Sequence, residues 1–262
     1  MTTTGNGNEA LHANRTSAPA PGESSSNAAR KLIAPWWHTA SVLLILGFFA
    51  YRGAQPQERP SPLGGAVGSP ATSFALQYLI LIGAEILLAY WVFVGVHWRG
   101  GTLWDLVRGR WANWRDVVRD FAIALPFWVV WEATAIFCVR ILYTEATPAG
   151  FYHVPAGAAE ISAYFLLCVV VGFCEELVFR GYFLQQFQAM TGSSAAGVVL
   201  QAIVFGLVHS YKGWRQVVVI TVLGVLYGLL VVWRRNLRTS MIAHAFSDMY
   251  EGFLKFLLPW HP

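Results

Sequence analysis

Charged residues are scarce in this sequence. Asp, Glu, Lys and Arg make up 12% of its 262 residues, whereas hydrophobic residues make up 56%. A soluble domain usually carries about 25% charged residues, so the composition excludes an ordinary water-soluble protein. Long uncharged runs indicate a membrane protein instead, because a helix needs about 20 apolar residues to cross the hydrocarbon core. The 12 Trp residues agree with this, since an amphipathic indole ring favours the membrane–water interface.

Cysteine is also scarce. The chain has three, Cys138, Cys168 and Cys174, all in or beside apolar segments. No pair has the spacing of a metal or redox motif, so we expect small buried side chains and no disulfide framework. The net charge of +4 suits anionic lipid headgroups. Because no soluble segment combines basic and aromatic residues as a nucleic-acid groove does, we predict membrane lipid as a partner and no nucleic acid.

The hydrophobic pattern predicts an all-α fold, a polytopic membrane helix bundle of about seven transmembrane helices plus an interfacial helix. The predicted spans are residues 36–51, 73–96, 120–143, 159–174, 195–210, 215–233 and 239–258. Residues 1–34 are polar and are predicted to form a disordered tail. Residues 35–157 would hold the N-terminal transmembrane helices with a basic interfacial segment, and residues 158–258 a second membrane domain.

Two connecting segments have distinct compositions. Residues 52–72 contain four Pro and several Gly, which predicts a loop. Residues 97–119 interleave five Arg with four Trp. That is the composition of an interfacial amphipathic helix, although an ordinary basic loop shares it. Because Lys and Arg favour the cytoplasmic side, the basic segments together predict a cytoplasmic N-terminus, and seven spans would then place the C-terminus outside.

Some residues within the spans have simple structural explanations. Glu85, Glu132 and Glu160 are single acids in or at the ends of spans. We expect each to make a buried polar contact or to lie at the interface, with no functional role. Gly224 and Gly228 are four residues apart in the sixth span, which predicts close packing of two helices.

The first motif with titratable residues is EELVFR, residues 175–180. Glu176 and Arg180 are four residues apart, which predicts an ion pair on one helix face. Glu175 points about 100° away around the helix and lacks that partner. Glu175 can therefore face a cavity, where a carboxyl group suits a general base or acid.

Two further motifs follow. FGLVH ends at His209, and HAFSD begins at His244 and ends at Asp248. His244 and Asp248 are four residues apart, so Asp248 could orient the imidazole as a carboxylate does in hydrolase triads. Each motif alone also fits a core histidine or a membrane-edge salt bridge. Together they gather more titratable groups on three spans than a bundle collects for packing alone.

In this order on successive late spans, the patterns EExxxR, FxxxH and HxxxN/D resemble those of the CPBP family. This family comprises the type II CAAX prenyl endopeptidases and their bacterial relatives, including bacteriocin-processing and immunity-type proteins. The resemblance covers roughly residues 158–258, which would make that segment a CPBP-like catalytic membrane domain. The preceding residues match only as generic spans.

The resemblance implies catalytic roles for four residues. Glu175 would activate a water molecule with the help of His209, while His244 and the residue at position 248 would stabilise the oxyanion of the tetrahedral intermediate. Position 248 is often Asn in the family, whereas here it is Asp248. An amide N–H can donate to an oxyanion, but an ionised carboxylate cannot. Asp248 would therefore stay protonated or would only orient His244.

The same resemblance implies supporting roles for two further residues. Glu176 and Arg180 would hold the site together. We favour a metal-free Glu/His mechanism without a cofactor. The alternative is a Zn²⁺ site, and its candidate ligands are Glu175, His209, His244 and Asp248. No HExxH motif is present in the sequence.

The sequence therefore predicts an intramembrane endopeptidase, which is a CAAX endopeptidase-like hydrolase. It would be an integral protein of the plasma membrane or of an endomembrane. It would hydrolyse a peptide bond of a membrane-associated protein or peptide near the cytoplasmic membrane face. A non-catalytic bacteriocin-immunity or peptide-binding protein is the main alternative. A transporter or proton relay is disfavoured, because the titratable groups cluster in the last hundred residues without an internal repeat.

Overall fold

A computed structural model describes residues 1, 31–55, 70–143, 155 and 157–254, and every regular element in these ranges is a helix. The α-helices are α1 (Trp36–Ala54), α2 (Pro70–His97), α3 (Leu103–Val107), α4 (Trp114–Leu142), α5 (Ala158–Glu175), α6 (Leu184–Thr191), α7 (Ser194–Val208), α8 (Trp214–Arg234) and α9 (Arg238–Met249). The predicted all-α membrane bundle is thus confirmed. The predictions that concern residues 2–30, 56–69, 144–154 and 255–258 lie outside the described residues.

Four helical segments are long and apolar enough to cross a membrane. They are Phe74–His97, Trp114–Leu142, Ala158–Thr191 and Trp214–Arg234. They coincide with the second, third, fourth and sixth predicted spans. The other three predicted spans fall on α1, which is less apolar, on α7, which has 15 residues, and on α9, which has 12. For the described part of the chain, the structure therefore supports four such helices where seven were predicted.

The structure divides the basic segment at 97–119, for which the sequence predicted an interfacial amphipathic helix or an ordinary basic loop. Helix α3 covers only five residues and stops at Arg108 and Gly109, which have φ angles of +60° and +112°. Left-handed backbone at two successive residues cannot continue a right-handed helix. Helix α4 then begins after Asn113, whose side chain accepts hydrogen bonds from two backbone N–H groups. The segment is a short helix, a turn and the first turn of α4.

A π-helix, Glu176–Phe183, lies at the centre of the bundle and joins α5 to α6 without a break. All eight of its residues are buried. The backbone N–H of Leu184 donates to the carbonyl of Phe179, five residues back, as π-helical geometry requires. The apolar side chains around it come from five helices and include Val42, Leu46, Val92, Val96, Leu106, Val107, Phe205 and Val231. Such π-helical turns are rare and occur frequently at functional sites.

A chain of hydrogen bonds holds α1 against the π-helix. Gln186 Nε2 donates to Thr39 Oγ1 at 2.9 Å, and His38 Nε2 donates to the carbonyl of Trp91 at 2.9 Å. In that tautomer His38 Nδ1 accepts from the Tyr182 hydroxyl at 2.8 Å, and the hydroxyl of Thr39 donates to Tyr182 at 3.0 Å. Each group in this buried chain donates to the next, from Gln186 through Thr39, Tyr182 and His38 to the carbonyl of Trp91. Every hydroxyl and ring nitrogen in the chain therefore has a partner.

The buried side chain of Asp120 ties α4 to α8 and α9. Its carboxylate accepts hydrogen bonds from Arg234 at 2.8 Å, from Arg238 at 3.1 Å, from Thr239 at 2.9 Å and from the Trp111 indole at 2.8 Å. Four donors compensate for the loss of water around a fully buried carboxylate. Because two of these donors begin α9, the cluster fixes the start of the helix that carries the third motif.

Glycine residues allow three close helix contacts. At Gly224 of α8, an added Cβ would lie 3.2 Å from the Cα of Ala202 on α7, and at Gly228 it would lie 2.8 Å from the side-chain nitrogen of Gln201 on α7. These contacts confirm the helix packing predicted from the glycine spacing. At Gly172 of α5, an added Cβ would lie 2.6 Å from the backbone nitrogen of Ala245 on α9. Helix α9 is thus seated directly on the backbone of α5.

Replacing Gly172 by Ala is expected to lower the free energy of unfolding by about 1–3 kcal/mol, the usual cost of overpacking. The atoms in the way are mainly backbone atoms of α9, which move only if the helix moves. Thermal unfolding in detergent measures the effect. Gly83→Ala in α2 is the matched control, because an added Cβ there meets no atom within 4 Å. An equal loss of stability in both variants would contradict the proposed contact.

Candidate active site

The ion pair predicted within the first motif is present in the π-helix. Arg180 Nη1 donates to Glu176 Oε1 at 2.8 Å, and both side chains are completely buried. Arg180 Nη2 also lies 3.4 Å from the carbonyl oxygen of Gly224. Two charges removed from water are tolerated only when they are paired and hydrogen-bonded. The pair therefore holds both side chains in one position deep in the bundle.

Aromatic rings surround the Arg180 guanidinium. Its central carbon lies 4.3 Å from the ring centroid of Phe205 and 5.0 Å from that of Tyr227. Cation–π attraction is strongest in such a desolvated position. The imidazole of His244 also stacks on the Tyr227 ring, with centroids 5.1 Å apart. These rings connect the arginine of the first motif with residues of the second and third.

Glu176 also orients His244. The Nδ1 atom of the imidazole lies 3.0 Å from Glu176 Oε1, and because a carboxylate only accepts, Nδ1 must carry a proton. The spacing of His244 and Asp248 had suggested that Asp248 orients this ring. Asp248 Oδ1 instead lies 3.9 Å from Nε2, beyond hydrogen-bonding distance. The orienting carboxylate comes from another helix, which spacing along α9 cannot reveal.

The other nitrogen of His244 faces two carboxylates. Its Nε2 atom lies 3.6 Å from Glu175 Oε2 and 3.9 Å from Asp248 Oδ1. The side chains of Glu175 and Asp248 are 16% and 33% exposed, whereas that of Glu176 is fully buried. The sequence had predicted this difference between the two adjacent glutamates. Nε2 therefore lies on the accessible side of the site, beside two acids that water can reach.

His209 joins the same group at the end of α7. Its Nδ1 atom donates to the carbonyl of Phe205 at 2.8 Å, which leaves Nε2 as an acceptor in the neutral ring. The FxxxH spacing explains this bond, because it places the carbonyl one helical turn before the imidazole. His209 is close enough to Glu175 and His244 to interact electrostatically with both. The structure thus brings the residues of all three motifs together.

Glu85 on α2 is an acid that sequence reasoning did not place in the site. It interacts electrostatically with Glu175, His244 and Asp248. Its Oε2 atom is buried and has no hydrogen-bond partner among the described residues. A buried carboxyl oxygen without a partner is costly, so its presence needs an explanation. The only signal in the sequence is that a lone acid interrupts an otherwise apolar span.

The zinc alternative has no matching geometry in the described ranges. No three His, Cys, Asp or Glu side chains there are arranged so that they could hold a metal ion. The Nδ1 atoms of His209 and His244 are hydrogen-bonded to a backbone carbonyl and to a carboxylate, so each ring has its Nε2 atom available. Cys168 and Cys174 are buried, as predicted for small apolar side chains, and Cys138 is half-buried.

Comparison with known families covers the segment that contains the site. Residues 157–250 match the family model described as Type II CAAX prenyl endopeptidase Rce1-like. Over this segment the chain is similar to the CPBP family. The CPBP segment contains all three motifs and agrees with the resemblance drawn over residues 158–258, whereas Glu85 lies outside it. No curated protein and no solved structure matched the chain. The long apolar helices support an integral membrane protein, and the family matched by residues 157–250 is a protease family.

Proposed function

We propose that this CPBP-family protein is an intramembrane endopeptidase in which Glu175 and His209 activate a water molecule. The position of His244 carries the proposal. Its Nδ1 atom is fixed by the buried Glu176, and its Nε2 atom faces the accessible carboxylate of Glu175 at 3.6 Å. An acid that water can reach, beside an imidazole oriented by a second acid, is the arrangement that general acid–base hydrolysis requires.

In the first step, Glu175 accepts a proton from water, with His209 as a second hydrogen-bond acceptor. The water oxygen forms a bond to the carbonyl carbon of the scissile peptide, and the carbonyl π electrons move onto its oxygen. His244 stabilises this oxyanion through Nε2–H. Because Nδ1 already donates to Glu176, the ring then carries both protons and a positive charge. The carboxylates around the ring stabilise that charge.

In the second step, the tetrahedral intermediate collapses. The oxyanion re-forms the carbonyl, the C–N bond breaks, and Glu175 returns its proton to the departing nitrogen. A carboxylic acid and an amine leave, and water is the only co-reactant. Glu175 thus acts first as a base and then as an acid, so one accessible carboxyl group serves both proton transfers. Protonated Asp248 would add a second donor to the oxyanion.

The substrate class that we propose is the C-terminal tail of a membrane-associated protein, processed in the CAAX manner near the cytoplasmic membrane face. The CPBP match to prenyl endopeptidases supports it. The arginine-rich segments support the location, because positively charged segments favour the cytoplasmic side. A comparison of prenylated and unprenylated peptides tests whether the tail must be prenylated.

Purified protein reconstituted in vesicles would be tested against membrane-tethered reporter peptides, prenylated and unprenylated, with and without a strong chelator. Glu175→Ala is the matched inactive variant. We expect cleavage by the wild type only, unaffected by the chelator. Loss of cleavage on chelation would replace this mechanism with the zinc alternative.

The non-catalytic alternative makes the opposite prediction for the same experiment. A peptide-binding or immunity protein would retain the reporter peptide without cleaving it, and Glu175→Ala would bind as well as the wild type. Absence of cleavage of every peptide by a folded wild-type protein would therefore overturn the peptidase and favour the binding protein.

Replacing Glu85 by Leu is expected to raise the thermal unfolding midpoint and to lower the peptidase rate. Removing a buried carboxyl oxygen without a partner relieves about 1–3 kcal/mol of desolvation cost. Removing the carboxyl group of Glu85, which interacts electrostatically with Glu175 and His244, changes the field at the reacting groups. Substitutions at functional residues often raise the stability of a protein and lower its activity. A lower midpoint with unchanged activity would show that Glu85 is a structural residue.

A further inference from the structure

A long groove runs along the outside of the bundle, on the far side of α9 from the candidate active site. It has a volume of 1190 Å³ and lies between α3, α4, α5 and α9. Ala243 and Ala245 line it, but His244 between them does not and contacts Glu176 instead. The groove is therefore separate from the candidate active site, although α5 and α9 contribute residues to both.

The walls of the groove are apolar along most of its length. Phe121 and Leu125 from α4, Phe173 from α5 and Phe246 from α9 form much of the surface. Phe121 and Leu125 are more than half exposed, so this surface is open at the side of the molecule. Pockets for small ligands usually measure about 300–1,000 Å³. The groove is larger and suits a long, flexible hydrocarbon chain.

One end of the groove is basic and aromatic. Arg110 and Arg238 line it there, together with Trp104 and Trp111. The Arg110 guanidinium lies 4.0 Å above the Trp104 ring, and no carboxylate of the described residues pairs with it. The groove therefore changes from hydrocarbon-like walls to cations and indole rings, as a bilayer changes from acyl chains to headgroups.

The arginines that line this end are not all paired with acids. Arg238 shares the carboxylate of Asp120 with Arg234. Arg110 forms no ion pair within the described ranges, so its guanidinium group is available to an anionic group. An occupant with an anionic head and an apolar tail would complement both parts of the groove.

We propose that the groove binds an anionic phospholipid of the surrounding bilayer, with its phosphate against Arg110 and Arg238 and an acyl chain along Phe121, Phe173 and Phe246. The lipid would fill the space between α4 and α9. Because α9 carries two residues of the candidate site, occupancy would hold that helix against α5. The proposal does not depend on the peptidase activity and is tested by binding and stability alone.

The test reconstitutes the full-length protein in phosphatidylcholine vesicles with or without phosphatidylglycerol. Lipid retained after detergent extraction is counted by native mass spectrometry, and the unfolding midpoint is measured in parallel. We expect phosphatidylglycerol to be retained and to raise the midpoint of the wild type. Arg110→Gln is expected to weaken retention about fivefold, equivalent to about 1 kcal/mol for one basic residue at a headgroup.

Arg115→Gln is the matched control. Arg115 lies in the same basic segment and rests on Trp114, but it does not line the groove. We expect it to retain phosphatidylglycerol like the wild type. An equal loss in Arg110→Gln and Arg115→Gln would reduce the effect to general surface charge and overturn the proposal, as would equal retention of both lipids by the wild type.

A second pair of variants tests the apolar part. Ala122 lines the groove, whereas Ala133, on the same helix and also exposed, does not. Ala122→Trp is expected to fill the groove and reduce retention, and Ala133→Trp to leave retention unchanged. Displacement of phosphatidylglycerol by a prenylated peptide, with no dependence on Arg110, would assign the groove to substrate and overturn the phospholipid proposal.

Discussion

Glu175→Gln is expected to reduce kcat/KM for the reporter peptide by about 10²–10⁴-fold, the usual contribution of a general acid–base group. The amide is nearly the same size as the carboxylate but cannot take a proton from water. The side chain is partly exposed and makes no short hydrogen bond to the residues that the structure describes, so the fold should not depend on its charge. Initial rates of peptide cleavage measure the effect, and the unfolding midpoint is expected to stay near that of the wild type.

Asp248→Asn is the companion variant on the other side of His244. Asp248 Oδ1 is 3.9 Å from His244 Nε2, at a distance similar to that of Glu175. The amide supplies an N–H donor for the oxyanion without requiring a protonated acid. We therefore expect Asp248→Asn to keep most of the activity. Equal inactivation by both amides would show that the site needs both carboxylates and would overturn the roles proposed for them.

Arg180→Met is expected to destabilise the protein by about 3–5 kcal/mol, the cost of leaving one partner of a buried ion pair uncompensated. Its partner Glu176 is completely buried and would lose its ion pair while keeping the hydrogen bond from His244. Thermal unfolding in detergent measures the loss. Arg119→Met is the matched control, because Arg119 and Asp116 form an exposed helical pair that should contribute no more than about 1 kcal/mol.

The double variant Glu176→Leu, Arg180→Met separates stability from function. Apolar residues that replace a buried ion pair are often neutral or stabilising, so stability is expected to recover relative to Arg180→Met. Activity is not expected to recover, because His244 has lost the acceptor of its Nδ1–H. Recovery of both properties would show that the pair serves the fold and not the orientation of the imidazole.

The sequence predicts those parts of the site that depend on local helix geometry. The i,i+4 spacing of Glu176 and Arg180 predicts their ion pair, which forms at 2.8 Å. The different exposure of Glu175 and Glu176 also follows from their adjacent positions. Local spacing fails where a partner comes from another helix. The acceptor for His244 is Glu176, although the sequence pattern favours Asp248.

The number of spans and the role of Glu85 show a second limit. Hydropathy detects apolar runs but does not fix how long each helix becomes, so α7 ends shorter than a spanning helix and α9 gives way to a π-helix at Tyr250–Leu254. Glu85 lies about ninety positions before the first motif and belongs to no pattern. Only the packing of α2 against α5 brings it near Glu175. Such long-range contacts are a property of the folded chain.

The hydrogen-bond chain through His38 and Tyr182 limits how far this protein can be truncated without disturbing the candidate site. Tyr182 belongs to the segment matched by the family, whereas His38 and the carbonyl of Trp91 lie far upstream of it. A fragment limited to residues 157–250 would leave the hydroxyl of Tyr182 without its acceptor and uncover the apolar side of the π-helix. The smallest autonomous unit that keeps the site therefore includes the first two helices, and the catalytic module is larger than its family signature.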